Sequence, residues 1–423
     1  MDKTDTNTFM RGMHFSNPWF ILALVATIGM YHVELIATIL NMSALSPEVP
    51  GRLKGTTSPE EHERSLEYAR ISAKFDVMQS TVMLAVFLAF WFGGGFDKVD
   101  AFVWELHQGP VISGLWVIGL LSVAQGIISL PFDVYDTFVI EKGFGFNNTT
   151  VGTFIMDRLK GLVLGALLGL PLLALLLWLF ERFSLAAVYG WVVVSGFSLL
   201  MTWLAPRLIM PMFYKFRPLD DEGLRKAIFG LSERLAFPVS DVSVVDGSRR
   251  STKANAFFAG FGKTKRIALF DTLIANHSQE EILAVLAHEI GHCKRGHVPK
   301  HIALSLALSA LMFALLHFAL HDPRLTAAFG ISTPSVAWGM VFFSVIYSPL
   351  SSLLGLIGSA LSRKNEYEAD AYAKEAIGSA EPMIRALTRL SRDHLSNPTP
   401  HPFYVALHYS HPTVLQRVES LQS

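Results

Sequence analysis

The chain has 423 residues, 51% of them hydrophobic and 17% charged, with a mean hydropathy of +0.39. It is too apolar for an ordinary soluble enzyme, yet its charged share implies an aqueous domain. Lys and Arg number 35, as do Asp and Glu, and no basic run interleaved with aromatics occurs, so a nucleic-acid partner is not indicated. The single cysteine, Cys293, excludes an intrachain disulfide, fits a reducing compartment and is expected to pack inertly on its helix.

A hydrocarbon core takes about 20 apolar residues of helix. Seven stretches qualify, at roughly 18–42, 77–96, 111–131, 159–180, 185–209, 302–320 and 334–361. The first is too long for a signal-peptide core, carries His32 and Glu34 and lacks a small-residue cleavage site, so it is expected to stay attached. Seven spans put the termini on opposite faces. The face with the N-terminal tail and the loops near 97–110, 181–184 and 321–333 holds only Lys3, Arg11, Lys98, Arg182 and Arg324. Nearly all other cations fall on the face of loops 43–76 and 132–158, segment 210–301 and the tail after 361, which the positive-inside rule puts in the cytoplasm. The sequons at Asn147 and Asn148 would then stay unglycosylated.

Between spans five and six the pattern is α+β. Residues 219–236 form an amphipathic helix and Val242–Val245 a short strand, while Phe257–Ala259 and Ile267–Phe270 flank Gly260-Phe261-Gly262-Lys263, a hairpin signal. A further helix opens on the capping-box pair Ser278 and Glu281, and Ile282, Leu283, Val285, Leu286 and Ile290 then recur with helical spacing.

That helix carries Ala287-His288-Glu289-Ile290-Gly291-His292. Residues four apart share a helix face, so two neutral imidazoles, His288 and His292, can bind one tetrahedral zinc while Glu289 polarises a water at the open position. The chemistry this implies is hydrolysis. The bland alternative is a pair of surface histidines, and a third ligand decides between the two.

Three places could supply it. Val298 stands where a metzincin would place its histidine, with His297 one residue out of register, so that class is excluded. Asp271 follows an apolar strand-like run and reads as a turn residue. In Asn365-Glu366-Tyr367-Glu368-Ala369-Asp370, Glu366 and Asp370 are i,i+4 partners on a helix following a long apolar segment. Glu366 can bind the metal while Asp370 orients a ligating imidazole; Glu368 projects to another face and is expected to be solvated. Two spans separate His292 from Glu366, so the site is assembled across a transmembrane hairpin, and access from the bilayer suits a lipidated substrate. The chain accordingly divides into a membrane region at 1–209, a cytoplasmic catalytic segment at 210–301, a transmembrane hairpin at 302–361 and a C-terminal catalytic part at 362–423. His14, His62, His107, His277, His317, His321, His394 and His401 lack paired spacing and are read as structural.

Several further runs carry a resemblance. Asp246–Ser251 through Asn255-Ala256-Phe257-Phe258, then Gly260–Lys263 and Arg266–Leu273, resemble the Ste24-type CAAX prenyl protease family, integral-membrane zinc metalloproteases of the M48 class. So do Phe138–Lys142 with Phe144–Asn147, the helix at Glu366, and Tyr409-Ser410-His411-Pro412-Thr413. The similarity covers about residues 60 to 420, with the motifs in the family's order. It implies a mainly α, polytopic fold in which about seven transmembrane helices form a barrel-like, water-filled chamber capped by an α+β zinc metalloprotease domain. It also implies endoproteolysis beside a prenylated cysteine, releasing a C-terminal tripeptide. One Zn2+ per chain would be held by His288, His292 and Glu366, with Glu289 as general base and acid and His411 stabilising the oxyanion. Asn255 and Ala256 would lie on an edge strand that pairs with the substrate backbone, and Arg417 would brace the site beside Asp370. Phe138–Asn147 reads as structural support.

The expected partners are a peptide or protein substrate, prenylated or not, and the lipid bilayer. A missing long insertion between the last two spans, and no evident C-terminal dilysine-type signal, lean toward a bacterial plasma membrane. Two rival readings stand beside this one: a quality-control protease acting on non-prenylated membrane proteins, and a transporter or channel, which would have no need of split zinc ligands.

Overall fold

The computed structural model describes residues 16–259 and 265–423. The tail bearing Lys3, Arg11 and His14, and the turn Gly260–Lys263, lie outside the described residues. Among the described residues, seven helical stretches are long and apolar enough to cross a membrane: Pro18–Ser43, Pro59–Phe92, Pro110–Glu141, Val151–Arg182, Ala186–Phe213, His297–Leu320 and Val336–Ile377.

The helices are α1 (Pro18–Ser43), α2 (Pro59–Phe92), α3 (Gly95–Glu105), α4 (Pro110–Tyr135), α5 (Val151–Arg182) and α6 (Ala186–Leu204), followed by α7 (Glu222–Arg234), α8 (Asp271–Asn276) and α9 (Gln279–Lys294). The chain continues through α10 (His297–Leu320), α11 (Val336–Ile377), α12 (Glu381–Asp393), α13 (Pro402–His408) and α14 (Val414–Gln422). Two of the spans extend well past the apolar stretches expected from hydropathy. Helix α2 begins at a capping box on Ser58 and Glu61, and α11 runs on through Glu366 and Asp370 to a left-handed Gly378. Hydropathy marks only the lipid-facing part of a helix, whereas caps and glycines set its ends. Glu366 therefore shares one continuous helix with the last span.

In no span is more than 17% of the apolar window buried within the protein, so the helices do not pack as a solid bundle. They stand as staves, with α2 against α1, α1 against α11, then α10, α6, α5 and α4 in turn, and α3 bridging α2 and α4. One end is closed by aromatic packing: Phe329 stacks on Phe342 at 4.0 Å and on Trp91 at 4.5 Å. Trp338 Nε1 there donates to Asp100 Oδ1 at 2.6 Å.

The other end carries a four-stranded sheet of β1 (Phe216–Pro218), β2 (Asp241–Val245), β3 (Ala256–Ala259) and β4 (Arg266–Phe270), in the order β1-β2-β4-β3. Strands β2 and β4 are parallel, and β3 runs antiparallel to β4, as the hairpin pattern predicts. Val242, Val244, Ile267 and Leu269 of the sheet, Leu224 and Ile228 of α7, and Ile282 and Leu286 of α9 form the core beneath it. The Phe138–Asn147 motif ties the membrane helices to the segment that carries the sheet. Glu141 accepts from the Tyr68 hydroxyl and pairs with Lys253 Nζ at 3.0 Å, and the Thr252 N–H donates to the Phe146 carbonyl at 3.1 Å. Asn148 Nδ2 donates to the Ser248 carbonyl at 2.9 Å.

Candidate metal centre

Helix α9 is fixed at its start by the reciprocal Ser278–Glu281 cap. Its small residues let α11 approach closely, since a Cβ at Gly291 would meet Tyr372 Cβ and Cδ1 at 3.1 Å. Ala287, Ala369 and Ala373 are likewise fully buried, or nearly so. This contact brings the two halves of the site together across the α10–α11 hairpin.

His288 Nε2 lies 3.1 Å from His292 Nε2 and 3.4 Å from Glu366 Oε2, and His292 Nε2 lies 3.3 Å from Glu366 Oε1. One donor atom from each residue falls within 4.8 Å of the others. Atoms about 2.0–2.2 Å from a tetrahedral zinc stand roughly 3.3 Å apart, so this donor set fits the ion. Two further observations agree. Glu366 Oε2 is buried without a hydrogen-bond donor among the described residues, although Arg417 Nη1 is 3.2 Å away. Where each Nδ1 carries its ring's proton toward an outer partner, Asp370 for His288 and His297 for His292, the two Nε2 lone pairs face each other at 3.1 Å and call for a cation between them.

An outer contact fixes the tautomer of His288. His288 Nδ1 donates to Asp370 Oδ1 at 2.9 Å, which leaves its Nε2 lone pair facing the centre. Asp370 is in turn held by Arg417, whose Nε and Nη2 donate to its two oxygens at 2.8 and 2.6 Å. Burial disfavours charge on His288, but Asp370 and Glu366 outweigh it and lift its proton affinity above the ordinary imidazole value. The same carboxylates favour a cation beside the ring.

Behind His292 stands a residue that spacing had passed over. His297 Nδ1 is 2.9 Å from His292 Nδ1, and His297 Nε2 is 3.1 Å from Glu368 Oε2. Glu368 is thus paired with His297 rather than simply solvated. Counting along one helix could not find this, because α9 ends and Gly296, at φ +68°, turns the chain before α10 begins at His297. Cys293 is exposed rather than packed, and Asp271 is taken up at the start of α8 by the backbone N–H and hydroxyl of Ser248.

The centre lies on the wall of a cavity of about 1080 Å³. Glu289 lines it, half-buried. His411 Nε2 lies 3.3 Å from Glu366 Oε1; its side chain is 60% exposed at the cavity, and partial desolvation there, helped by Arg417, lowers the ring's proton affinity against the opposing pull of Glu366. Asn255 and Ala256 also line the cavity, Asn255 just before β3 and Ala256 on it. Since β3 ends the strand order, one of its edges is unpaired within the sheet. Its lining mixes apolar Leu273, Val285, Met383 and Leu387 with polar His301, Ser305 and Asn365. Of the histidines without paired spacing, His62 bonds the Ser46 carbonyl at 2.9 Å. His394 Nε2 accepts from the Ala254 N–H at 3.0 Å.

Comparison with known proteins gives this site its setting. Residues 38–215 match the description "CAAX prenyl protease N-terminal, five membrane helices", and residues 218–423 match peptidase family M48. The chain belongs to peptidase family M48. It lies in the family's Ste24-type membrane branch. It is 34% identical to CAAX prenyl protease 1 of Saccharomyces cerevisiae, with 96% of each chain covered. A CAAX prenyl protease 1 homolog of Arabidopsis thaliana is 34% identical over 93% of this chain and 95% of its own. The crystal structure of S. mikatae Ste24p superposes with a TM-score of 0.88 at 34% identity, covering 96% of this chain and 99% of that one. The chain is therefore an integral-membrane metalloprotease, multi-pass and mostly helical, from a family whose metal is generally zinc.

Proposed function

We propose that this M48 protease binds one zinc ion through His288, His292 and Glu366 and cleaves a peptide C-terminal to a prenylated cysteine. The observation that carries the metal assignment is the convergence of three donors at 3.1 to 3.4 Å on a cavity wall beside an edge strand. When bound, zinc supplies Lewis acidity toward the scissile carbonyl and toward the attacking water.

The remaining work falls to the protein. Glu289 takes the proton of the attacking water and later returns it to the leaving amine, as a carboxylate beside a ligand can. His411, neutral near pH 7, donates an N–H to the developing oxyanion. Asn255 and Ala256 present backbone groups at the strand edge, where an extended peptide adds by main-chain hydrogen bonds. Asp370 and Arg417 hold the first imidazole in place.

A prenylated substrate suits a site roofed by membrane helices, and the names of the relatives point the same way. The distribution of Lys and Arg favours a metal centre on the cytoplasmic face of its membrane. The test is elemental analysis of purified parent and Glu289→Gln protein, paired with hydrolysis of a farnesylated peptide and its unmodified twin. The expected result is one zinc in both proteins and cleavage of the farnesylated peptide by the parent alone. Equal cleavage of the two peptides would overturn the prenyl-specific reading and favour a quality-control role. Turnover by Glu289→Gln would overturn the assignment of the base.

A further inference from the structure

A second cavity, of about 190 Å³, lies away from the metal centre, where the first turns of α5 meet the segment that leaves α6. Its walls include Lys160, Lys215, Arg249 and Arg250, against the single carboxylate of Asp157. The one ion pair among these described side chains is bidentate: Arg250 Nε and Nη2 donate to Asp157 at 2.9 and 3.0 Å. The third nitrogen, Arg250 Nη1, is buried and has no hydrogen-bond partner among the described residues. A buried guanidinium donor without an oxygen acceptor is costly, and the Tyr214 ring face, 4.8 Å from the guanidinium carbon, offsets only part of that cost. Lys160 Nζ donates to a neutral carbonyl, that of Met212, at 2.6 Å and lies 5.7 Å from the centre of the Phe213 ring, with no carboxylate paired to it among the described residues. Lys215 and Arg249 are exposed.

The surroundings fix the kind of anion. Met156, Leu159, Leu162 and Val163 of α5, with Leu208 and Met212, are 45% to 67% exposed beside the pocket. In a chain that spans a bilayer, such an apolar face meets acyl chains, and cations at its rim stand at headgroup depth. We infer that this pocket binds the phosphate of an anionic phospholipid headgroup. Arg249 and Lys215 supply the donors, the Arg250 guanidinium adds its charge from the wall, and the acyl chains lie along α5. Arg250 also accepts, through its carbonyl, from the Asn148 N–H at 3.0 Å, so the bound lipid braces the joint between the membrane helices and the sheet.

The test uses the full chain in a neutral detergent, following the thermal unfolding midpoint as dihexanoyl phosphatidylglycerol, dihexanoyl phosphatidylcholine or inorganic phosphate is titrated in. The variants are Lys215→Gln with Arg249→Gln, and Arg249→Gln alone, all at exposed positions outside the metal centre. A control, Arg225→Gln with Lys226→Gln on α7, removes the same charge elsewhere. Phosphatidylglycerol is expected to raise the midpoint of the parent and the control at far lower concentration than phosphatidylcholine. The double variant should need roughly tenfold more of it, or beyond, and the single variant an intermediate amount. Equal responses to the two lipids, or a double variant that titrates like the parent, would overturn the site. Inorganic phosphate acting at the same concentration as phosphatidylglycerol would overturn the assignment to a lipid.

Discussion

His297 stands directly behind His292, their Nδ1 atoms 2.9 Å apart, and passes the contact on to Glu368 at 3.1 Å. With His292 Nε2 facing the centre, its Nδ1 must carry the proton and donate it. His297 then accepts at Nδ1 and donates from Nε2 to the carboxylate, so one arrangement of protons satisfies the whole chain. Replacing His297 with Ala is expected to weaken metal affinity by about 10- to 100-fold, a range typical for lost support of a ligating imidazole. Competition with a chelator measures this directly. Glu368→Gln, which can still accept a hydrogen bond, should lose less.

Arg417 is buried and faces two buried carboxylates, Asp370 and Glu366. Its replacement by Met leaves those charges uncompensated, and removing one partner of a buried pair costs about 3–5 kcal/mol. The loss is expected to be larger in chelated protein than in metal-loaded protein, because a bound cation offsets part of the missing charge. Unfolding midpoints of both forms, parent against variant, would show the difference; an equal loss in both would contradict it.

Gly291 faces Tyr372, whose Cβ and Cδ1 would lie 3.1 Å from an added Cβ, with the Ala369 backbone at 3.3 Å. Gly291→Val should therefore force α9 away from α11, at about 1–3 kcal/mol for overpacking. The donors on the two helices would separate with them, so metal content should fall along with the unfolding midpoint.

His277 is buried with neither ring nitrogen bonded among the described residues, and burial holds it below the ordinary imidazole value. His394 is lowered for the same leading reason. When the folded value lies below the unfolded one, the unfolded chain binds the extra proton, so stability is complete above about pH 6.5 and declines as the pH falls beneath it. Unfolding midpoints between pH 8 and 5 should show that decline, and His277→Gln should shallow it.

Much of this was readable from residue spacing, and the remainder has physical reasons for having been hidden. His288 and His292 could be paired because both lie on one capped helix, where four residues bring side chains onto one face. Glu366 with Asp370 followed by the same rule. The His297 contact was not visible because a left-handed glycine resets the helical register before it. Glu368 looked solvated because its partner belongs to another helix. Seven spans were legible from hydropathy, but the extents of α2 and α11 were not, since their polar ends carry caps rather than apolar runs.

Helix α11 is 42 residues of continuous helix with Pro349 inside it, roughly 63 Å along its axis at 1.5 Å per residue, with the aromatic plug near one end and Glu366 toward the other. A rod of that length, seated in a hydrocarbon layer about 30 Å thick, adapts to thinner or thicker bilayers by leaning. Any such lean loads the close α9–α11 contact at Gly291 that sets the acid against the imidazoles. Cleavage rates in vesicles of graded acyl length should consequently pass through an optimum, making the enzyme a gauge of the membrane in which it works.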